Sequence, residues 1–485
     1  MAEKKYISSA LIGEGVFAPF SNPQGMWIQI YDGQQKRIYK LTDETSFRMA
    51  MKSVYKKRTG KFLSDKRCFE EEEFLELYAF EHKISRNLEY RIAFRPKKKA
   101  YYYDLDALHG KAVKITEEGY KLIKTPSKMF RQNDTYKAQV KPKTAVSNEL
   151  PDLLAPHFKL QSKEQLLLLA MYLVSAFMSP TIKCPLLIFV GDKGSSKSTI
   201  MRRIESIIDP KYTDLTGASN SNSDLQIQLN NNRFISIDNS SHLSQKTSDL
   251  LARAVTGGSV SKRKLYTDGK EVFLNLRCLV AINGIHLVAK SNDLLDRALL
   301  FKLKRLSPSE IKNESVLDKA FNRDLPKIMG AIFDSVSKVM ADKKPIGIRK
   351  KTRMVDFFET AIKVGRTFGL NDEETSKIIW KNHEEVNQQS LQENLIAQCI
   401  RELMDGYTEY KGSVTDLLHD LTAIAKENSI RESFLPGQPN VLSRRLNEIK
   451  SNLEEEGIYY EIKNKGPFRE IRIVRDMKKL DNTDD

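Results

Sequence analysis

The chain has 485 residues, of which 40% are apolar and 29% charged, and a net charge of +16. That length is too great for one hydrophobic core, so two to four domains are expected, and the composition is that of a soluble globular protein. Residues 1–150 hold 29 Lys/Arg against 19 Asp/Glu; this excess favours a polyanionic partner, nucleic acid ahead of a membrane surface, although a lysine-rich proteome would give the same bias.

Cys68, Cys184, Cys278 and Cys399 lie far apart in sequence. This excludes metal-ligand spacing and a disulfide framework, and points to a reducing cytoplasm. The N-terminal "MAEKKYISSALIGEG" lacks the apolar centre of a signal peptide. The apolar run "QLLLLAMYLVSAFM" (165–178) is too short to span a bilayer and reads as a buried helix.

In chain order, residues 1–64 mix strand-like pieces ("MWIQIYD", "KRIYKL") with a basic helix around "FRMAMKSVYKKR". Residues 65–90 have helical spacing of Phe69, Leu75, Leu77 and Phe80, and residues 89–140 alternate strands with turns. Asp104 and Asp106 in "YYYDLDAL" form a D-x-D pair that could bind metal, as a primase would require. A polar stretch, "NDTYKAQVKPKTAVSNELPD", marks a domain boundary near 150.

From 155 to about 305 the order is helix, apolar strand, glycine loop, helix and further apolar strands. This predicts an α/β domain around a largely parallel sheet. The apolar strand "CPLLIFV" (184–190) leads into "GDKGSSKST" (191–199), and helical spacing follows. A strand, a Gly/Ser loop and a helix form the context of a phosphate-binding loop. Gly191 and Gly194 permit the turn, and Ser195, Ser196 and Thr199 complete the loop. Lys197 would reach the β- and γ-phosphates of ATP, and Ser198 would hold Mg²⁺. Ser196 stands where glycine is usual, a position that a small side chain suits if its φ stays negative.

The strand "RFISIDN" (233–239) ends in Asp238, which would hold the hydration shell of Mg²⁺. Asn239 follows and can orient the attacking water but cannot accept its proton, which leaves the general base unassigned. The strand "CLVAI" (278–282) ends in Asn283-Gly284, where an amide can bond the γ-phosphate or the lytic water. Before it, "SVSKRKLYTDGKEVFLNL" (259–276) reads as a hairpin carrying Lys262, Arg263, Lys264 and Lys270. In "NDLLDRALLFKL", leucines frame Arg297. It reads either as an arginine presented to a neighbouring subunit's γ-phosphate or as a surface salt bridge. Residues 310–385 are predicted helical.

After about 390 the pattern predicts three helices and then two strands. "SVTDLLHDLTAIAKE" forms one helix, with Ser413 as N-cap. "NVLSRRLNEIKSNLEEEGI" (440–458) forms the next, with Ser443, Arg444, Asn447 and Lys450 opposite its apolar face. Two strands then flank a basic turn with Lys463 and Lys465. Helices followed by such a wing suggest a winged-helix module, with Glu454–Glu456 pointing away from DNA.

The ordered motifs "GDKGSSKST", "IDN", "TGGSVSKRKLYTDGKEVFLNLRCLVAINGI" and "DLLDRALLFKL" resemble the AAA+ hexameric helicases. The likeness is to superfamily 3 and to MCM-like replication initiators of mobile elements, above all those of staphylococcal pathogenicity islands and cassette chromosomes. The resemblance implies that Asn283 is sensor 1, Arg297 the trans-acting finger and Arg353 in "RKKTRMVDFFETA" the sensor 2 arginine. It also implies a DNA-gripping hairpin, 3′–5′ translocation and a small non-glycine residue before the lysine. The expected architecture is α/β. An α+β N-terminal DNA-binding collar (1–150) precedes an AAA+ P-loop ATPase core (151–310). A helical lid (311–390) and a winged-helix domain (391–485) follow. The expected activity is ATP-dependent unwinding by a homo-oligomer, a hexamer, on single-stranded and duplex origin DNA, with a host polymerase or primase as further partner. Two alternatives stand beside it: a primase-helicase, and an origin binder whose ATP site is degenerate.

Overall fold

The computed structural model describes residues 6–22, 25–41, 44–124, 129–131, 135–217, 221–240, 243–263, 271–289, 291–305, 313–392, 394–428, 435–465 and 468–476. The N-terminal part opens with α1 (Ile7–Gly13) and an antiparallel sheet of β1 (Phe17–Asn22), β2 (Gly25–Tyr31) and β3 (Lys36–Lys40). Helices α2 (Glu44–Thr59) and α3 (Asp65–Glu81) cover it. Leu11, Phe17, Ile28, Phe47, Met51 and Leu75 form a core of their own there. The helical spacing expected for α3 fails on its buried side. Phe69, Leu77 and Phe80 are exposed, while Cys68, Glu71, Glu72, Leu75 and Ala79 face inward.

The short strand β4 (Leu88–Glu89) leads into β5 (Ile92–Arg95), β6 (Ala100–Asp106), β7 (Lys111–Thr116) and β8 (Gly119–Ile123), a four-stranded antiparallel meander. Strand β9 (Met129–Phe130) returns to pair with β4. The meander does not belong to a separate collar. Its Ile92, Tyr101, Tyr103, Val113 and Ile115 share one core with the helices beyond residue 150. Lys143 N–H also donates to Pro326 O at 2.8 Å, and a Cβ on Gly330 would stand 1.8 Å from Lys143 O. The boundary expected at 150 therefore runs through continuous packing.

Helix α4 (Leu150–Leu154) precedes α5 (Lys163–Met178), which is capped by Ser162 and apolar on every side, so nearly all of it is buried. Then come β10 (Leu186–Gly191), α6 (Lys197–Ile208), β11 (Thr216–Gly217), α7 (Asn222–Asn231), β12 (Phe234–Asp238) and α8 (Gln245–Thr256). A hairpin of β13 (Ser259–Arg263) and β14 (Glu271–Asn275) follows. The unit closes with β15 (Leu279–Gly284), the one-turn helix α9 (Asn292–Leu295) and β16 (Ala298–Leu303). Five strands run parallel in the order β11-β12-β15-β10-β16. Helices on both faces explain why these strands are continuous apolar runs.

Helices α10 (Glu314–Ala341), α11 (Val355–Thr367) and α12 (Asp372–Gln392) pack behind α5. Residues 342–354, predicted helical, have no regular secondary structure. The C-terminal unit is α13 (Leu395–Leu403), β17 (Glu409–Ser413), α14 (Val414–Glu427), α15 (Pro439–Glu448), α16 (Lys450–Glu455), β18 (Ile458–Lys465) and β19 (Phe468–Arg475). Its antiparallel sheet, ordered β17-β19-β18, contains a third strand that was not anticipated. The helix expected over 440–458 breaks at Ile449 into α15 and α16. Among the described residues no helix is long and apolar enough to cross a membrane.

Candidate functional site

In an open parallel sheet, ligand sites form where the strands end and backbone N–H groups of the next helix face outward. Gly191, Asp238 and Asn283-Gly284 end three adjacent strands, β10, β12 and β15, at one edge of the sheet. Gly191 is required by contact: a Cβ there would lie 2.6 Å from Leu303 O and 2.8 Å from Ser195 Oγ. Gly194 has φ +82°, a conformation that glycine adopts freely. Ser196 also lies in the left-handed region, at φ 62°. This corrects the expectation of a negative φ at that position: a turn of this shape needs the left-handed residue whatever its side chain.

Lys197 Nζ donates to Gly191 O at 2.5 Å and Asp192 O at 2.9 Å. Burial lowers its pKa, against the opposing pull of Asp192 and Asp238. Ser198 Oγ donates to both Asp238 carboxylate oxygens, at 2.9 and 3.0 Å. The Asn283 amide is buried and works at both ends. Its Nδ2 donates to Asp238 Oδ1 at 2.5 Å, and its Oδ1 accepts from Asn239 N–H at 2.7 Å. Asn239 is exposed and takes φ 54°. Lys197, Ser198, Asp238, Asn239 and Asn283 thus come together as one cluster. Ser195 lies buried beneath the loop with its Oγ donating to Asp192 O at 2.8 Å, and Thr199 is half-buried on α6. Gly284 allows close approach as well, because a Cβ would meet Ser240 O at 2.8 Å.

Two arginines are placed elsewhere. Arg297 precedes β16, at the opposite end of the sheet. Six residues of strand at ~3.3 Å each put it roughly 20 Å from the loop. Arg353, expected with the nucleotide ligands, joins Arg297 and not Lys197. Asp293 pairs with Arg297 at 2.8 Å and with Arg353 at 2.7 Å, and Asp296 pairs with Arg353 at 3.1 Å. Asp293 was overlooked in the sequence, although its four-residue spacing from Arg297 is a helical pairing signal. Being half-exposed, these pairs orient side chains more than they stabilise the fold.

The D-x-D pair does not form a metal site. A register shift between Asp104 and Asp106 separates them along β6. Asp104 is buried and accepts from Tyr136 O–H at 3.1 Å, whereas Asp106 bonds His109. Among the described residues no cluster of three His, Cys, Asp or Glu could hold a metal.

Of the expected DNA contacts, Lys264 and Lys270 lie outside the described residues, as do the side chains of Lys262, Arg263 and Lys465. The backbones of Lys262 and Arg263 pair across the hairpin with Val272 and Glu271. Arg444 is exposed on α15. Ser443, expected beside it, is buried and donates to Pro439 O. Lys450 sits past the helix break on α16, near Glu454 and over the Tyr460 ring. Lys463 is exposed and pairs with Glu461 at 3.0 Å. Glu454, Glu455 and Glu456 contact Lys450, Asn387 and Arg401 respectively.

Residues 152–377 match the family model of the actinomycete integrative conjugative element replication protein. Residues 396–482 match the model of the AICE RepA C-terminal domain. The chain is similar to replication proteins of integrative conjugative elements. Neither model names a staphylococcal element, so the mobile-element part of the resemblance is retained and the staphylococcal part is not supported. No curated protein matches the chain. Among solved structures, the apo C-terminal region of NrS-1 is 12% identical, with 96% of this chain and 98% of that one covered, at a TM-score of 0.43. JCV helicase is 11% identical, over 48% of this chain and 63% of that one, at a TM-score of 0.25.

Proposed function

We propose that the chain is an ATP-driven DNA helicase and replication initiator of a mobile element, acting as a ring of identical subunits, a hexamer. The observation that carries this reading is the cluster at the strand ends, where Ser198 and Asn283 both donate to Asp238 beside Lys197. The residues suit ATP and Mg²⁺. Ser198 and Asp238 offer hard oxygen ligands, and the close approach of Gly191 to Leu303 and Ser195 and the positive φ of Gly194 allow the tight loop that such a site needs. Mg²⁺ would neutralise charge developing on the transferred phosphoryl group.

Lys197 exchanges its loop carbonyls for phosphate oxygens. Asn283 can leave Asp238 or Asn239 to bond the γ-phosphate or the attacking water, which makes it the sensing residue. Asn239 orients that water. Arg297 serves the site of the adjacent subunit, and Arg353 stands with it there. The C-terminal unit, with the order helix-strand-helix-helix-helix-strand-strand, serves as a winged helix with Arg444 and Lys463 toward origin DNA. The β13–β14 hairpin grips the phosphates of a single strand. Translocation is 3′–5′ by resemblance.

Lys197→Ala is expected to abolish DNA-stimulated ATP hydrolysis and unwinding while leaving duplex origin binding, measured on the same preparation. A wild-type protein without DNA-stimulated hydrolysis would overturn the motor reading in favour of an origin binder with a degenerate site.

A further inference from the structure

The turn between β5 and β6 reads "RPKKKA" (95–100), and Lys97, Lys98 and Lys99 on it are exposed. Pro96 starts its short 3₁₀ turn, which Lys99 N–H closes by donating to Pro96 O at 3.0 Å. Lys99 takes φ 42°, a left-handed conformation that suits glycine and costs a residue with a Cβ. A lysine there carries its charge against a local backbone preference, a pattern found at functional sites.

Elsewhere on the surface Lys52, Lys338, Lys351 and Lys463 each pair with a carboxylate. Among the described residues, Lys97, Lys98 and Lys99 pair with none. The same holds for Lys183, exposed just before β10, and for Arg253, exposed on the last turn of α8. Adjacent like charges without acids between them repel, and a polyanion relieves that repulsion.

The turn lies beside the base of the β13–β14 hairpin, at the sheet end opposite Lys197. Two residues beyond Lys99, the Tyr101 hydroxyl meets Thr181 Oγ1, and Lys183 stands two residues further along that loop. Between them, Ile182 O accepts from Arg277 Nη2 at 3.2 Å. Burial raises the Tyr101 pKa, and the Thr181 hydrogen bond and the nearby Arg277 charge oppose that rise. Leu276 N–H donates to Gly258 O at 3.0 Å, and Gly258 N–H to Arg253 O at 2.8 Å. A Cβ on Gly257 would touch the Arg277 stem at 3.8 Å. Exposed cations thus run from the β5–β6 turn through Lys183 to Arg253 at the root of β13.

We propose that this row is a track for the sugar-phosphate backbone of one DNA strand, leading it to the β13–β14 hairpin. Lysines hold phosphates as mobile point charges and read no bases. DNA as partner rests on the function proposed above. The track shares no residue with the nucleotide cluster, however, so oligothymidylate binding without ATP tests it separately.

In the full chain, Lys97→Gln/Lys98→Gln/Lys99→Gln is expected to keep the wild-type melting temperature and to weaken oligothymidylate binding about tenfold. The salt slope of binding should fall by about 2, or ~0.7 for each lost phosphate contact. Arginine at the same three positions restores the affinity. Lys319→Gln/Lys327→Gln/Lys377→Gln removes as much charge from exposed positions on α10 and α12 and leaves affinity within about twofold of wild type. Unchanged affinity in the turn variant, an equal fall in the control, or no oligothymidylate binding by the wild type overturns the track. A fall confined to duplex DNA overturns the single-strand assignment. The four native cysteines are buried, so Lys98→Cys adds an accessible thiol for a photocrosslinker, which is expected to capture oligothymidylate. No capture overturns the track even if the glutamine variant misfolds. A wild-type protein without DNA-stimulated ATPase would overturn the motor reading and leave these binding results standing.

Discussion

Ser196 occupies the left-handed region at φ 62° with a Cβ that glycine would not carry. Ser196→Gly should therefore stabilise the protein by about 0.5–1 kcal/mol, read as a higher urea midpoint, with nucleotide binding retained. The sequence showed that a serine stands there, but not its backbone angle, which the strand-to-helix turn imposes. Lys197, Ser198, Asp238 and Asn283 were legible because each follows or ends an apolar run whose length fixes where the strand stops. Asp104 was legible only as an acid, and its burial reverses its meaning. Desolvation raises its pKa to about 7 from an unfolded value near 3.8, against the opposing effects of Arg91 and Tyr136. The folded protein thus keeps a proton that the unfolded chain releases, so the stability contributed by this group is present below pH 3.8 and is lost as pH rises through about 7. Asp104→Asn keeps the acceptor for Tyr136 and removes that loss. It should be more stable than wild type at pH 8, with the advantage shrinking at pH 5, in urea unfolding at both values.

Helix α3 shows why apolar spacing alone misplaced a face. Glu71 is buried because its two oxygens accept from Ile7 N–H at 3.0 Å and Ser8 N–H at 2.8 Å, the free N–H groups at the start of α1. Glu72, also buried, pairs with Arg48 on α2. Those long-range partners turn the acidic side inward and leave Phe69, Leu77 and Phe80 at 51%, 54% and 70% exposure. No local pattern encodes such partners, whereas helix α5, apolar on all sides, declared its burial directly. Similarly, β17 was missed because its "EYKGS" lacks strand alternation and is held by pairing with β19. Leu75→Ala should cost about 2–5 kcal/mol. Phe69→Ser and Phe80→Ser should each stay within about 0.5 kcal/mol of wild type in chemical unfolding. A loss at Phe80 comparable to that at Leu75 would mean that the face is covered in the assembled protein.

The placement of Arg297 constrains the whole assembly. It lies roughly 20 Å from the Lys197 of its own chain, across the length of β10 and β16, so it can complete a nucleotide site only in another copy. The C-terminal unit docks on the same end. Asn292 of α9 donates to Glu448 O and to Ser451 Oγ, while Asn387 of α12 bonds Asn452 and Glu455. The turn that carries Arg297 is therefore packed between the parallel-sheet unit and the C-terminal unit, and under the proposed function that packing would link DNA binding to the subunit interface. If the finger acts between copies, Arg297→Ala and Lys197→Ala proteins should each lack ATPase activity alone but complement when mixed. An interface is intact only when a chain carrying Lys197 meets one carrying Arg297. Random equal mixing makes about one quarter of interfaces intact, and ATPase should recover to about that fraction of wild type. Subunit exchange is verified separately by energy transfer between labelled copies. If exchange occurs and activity stays at the level of either parent, Arg297 does not act across the interface, and its pair with Asp293 is structural.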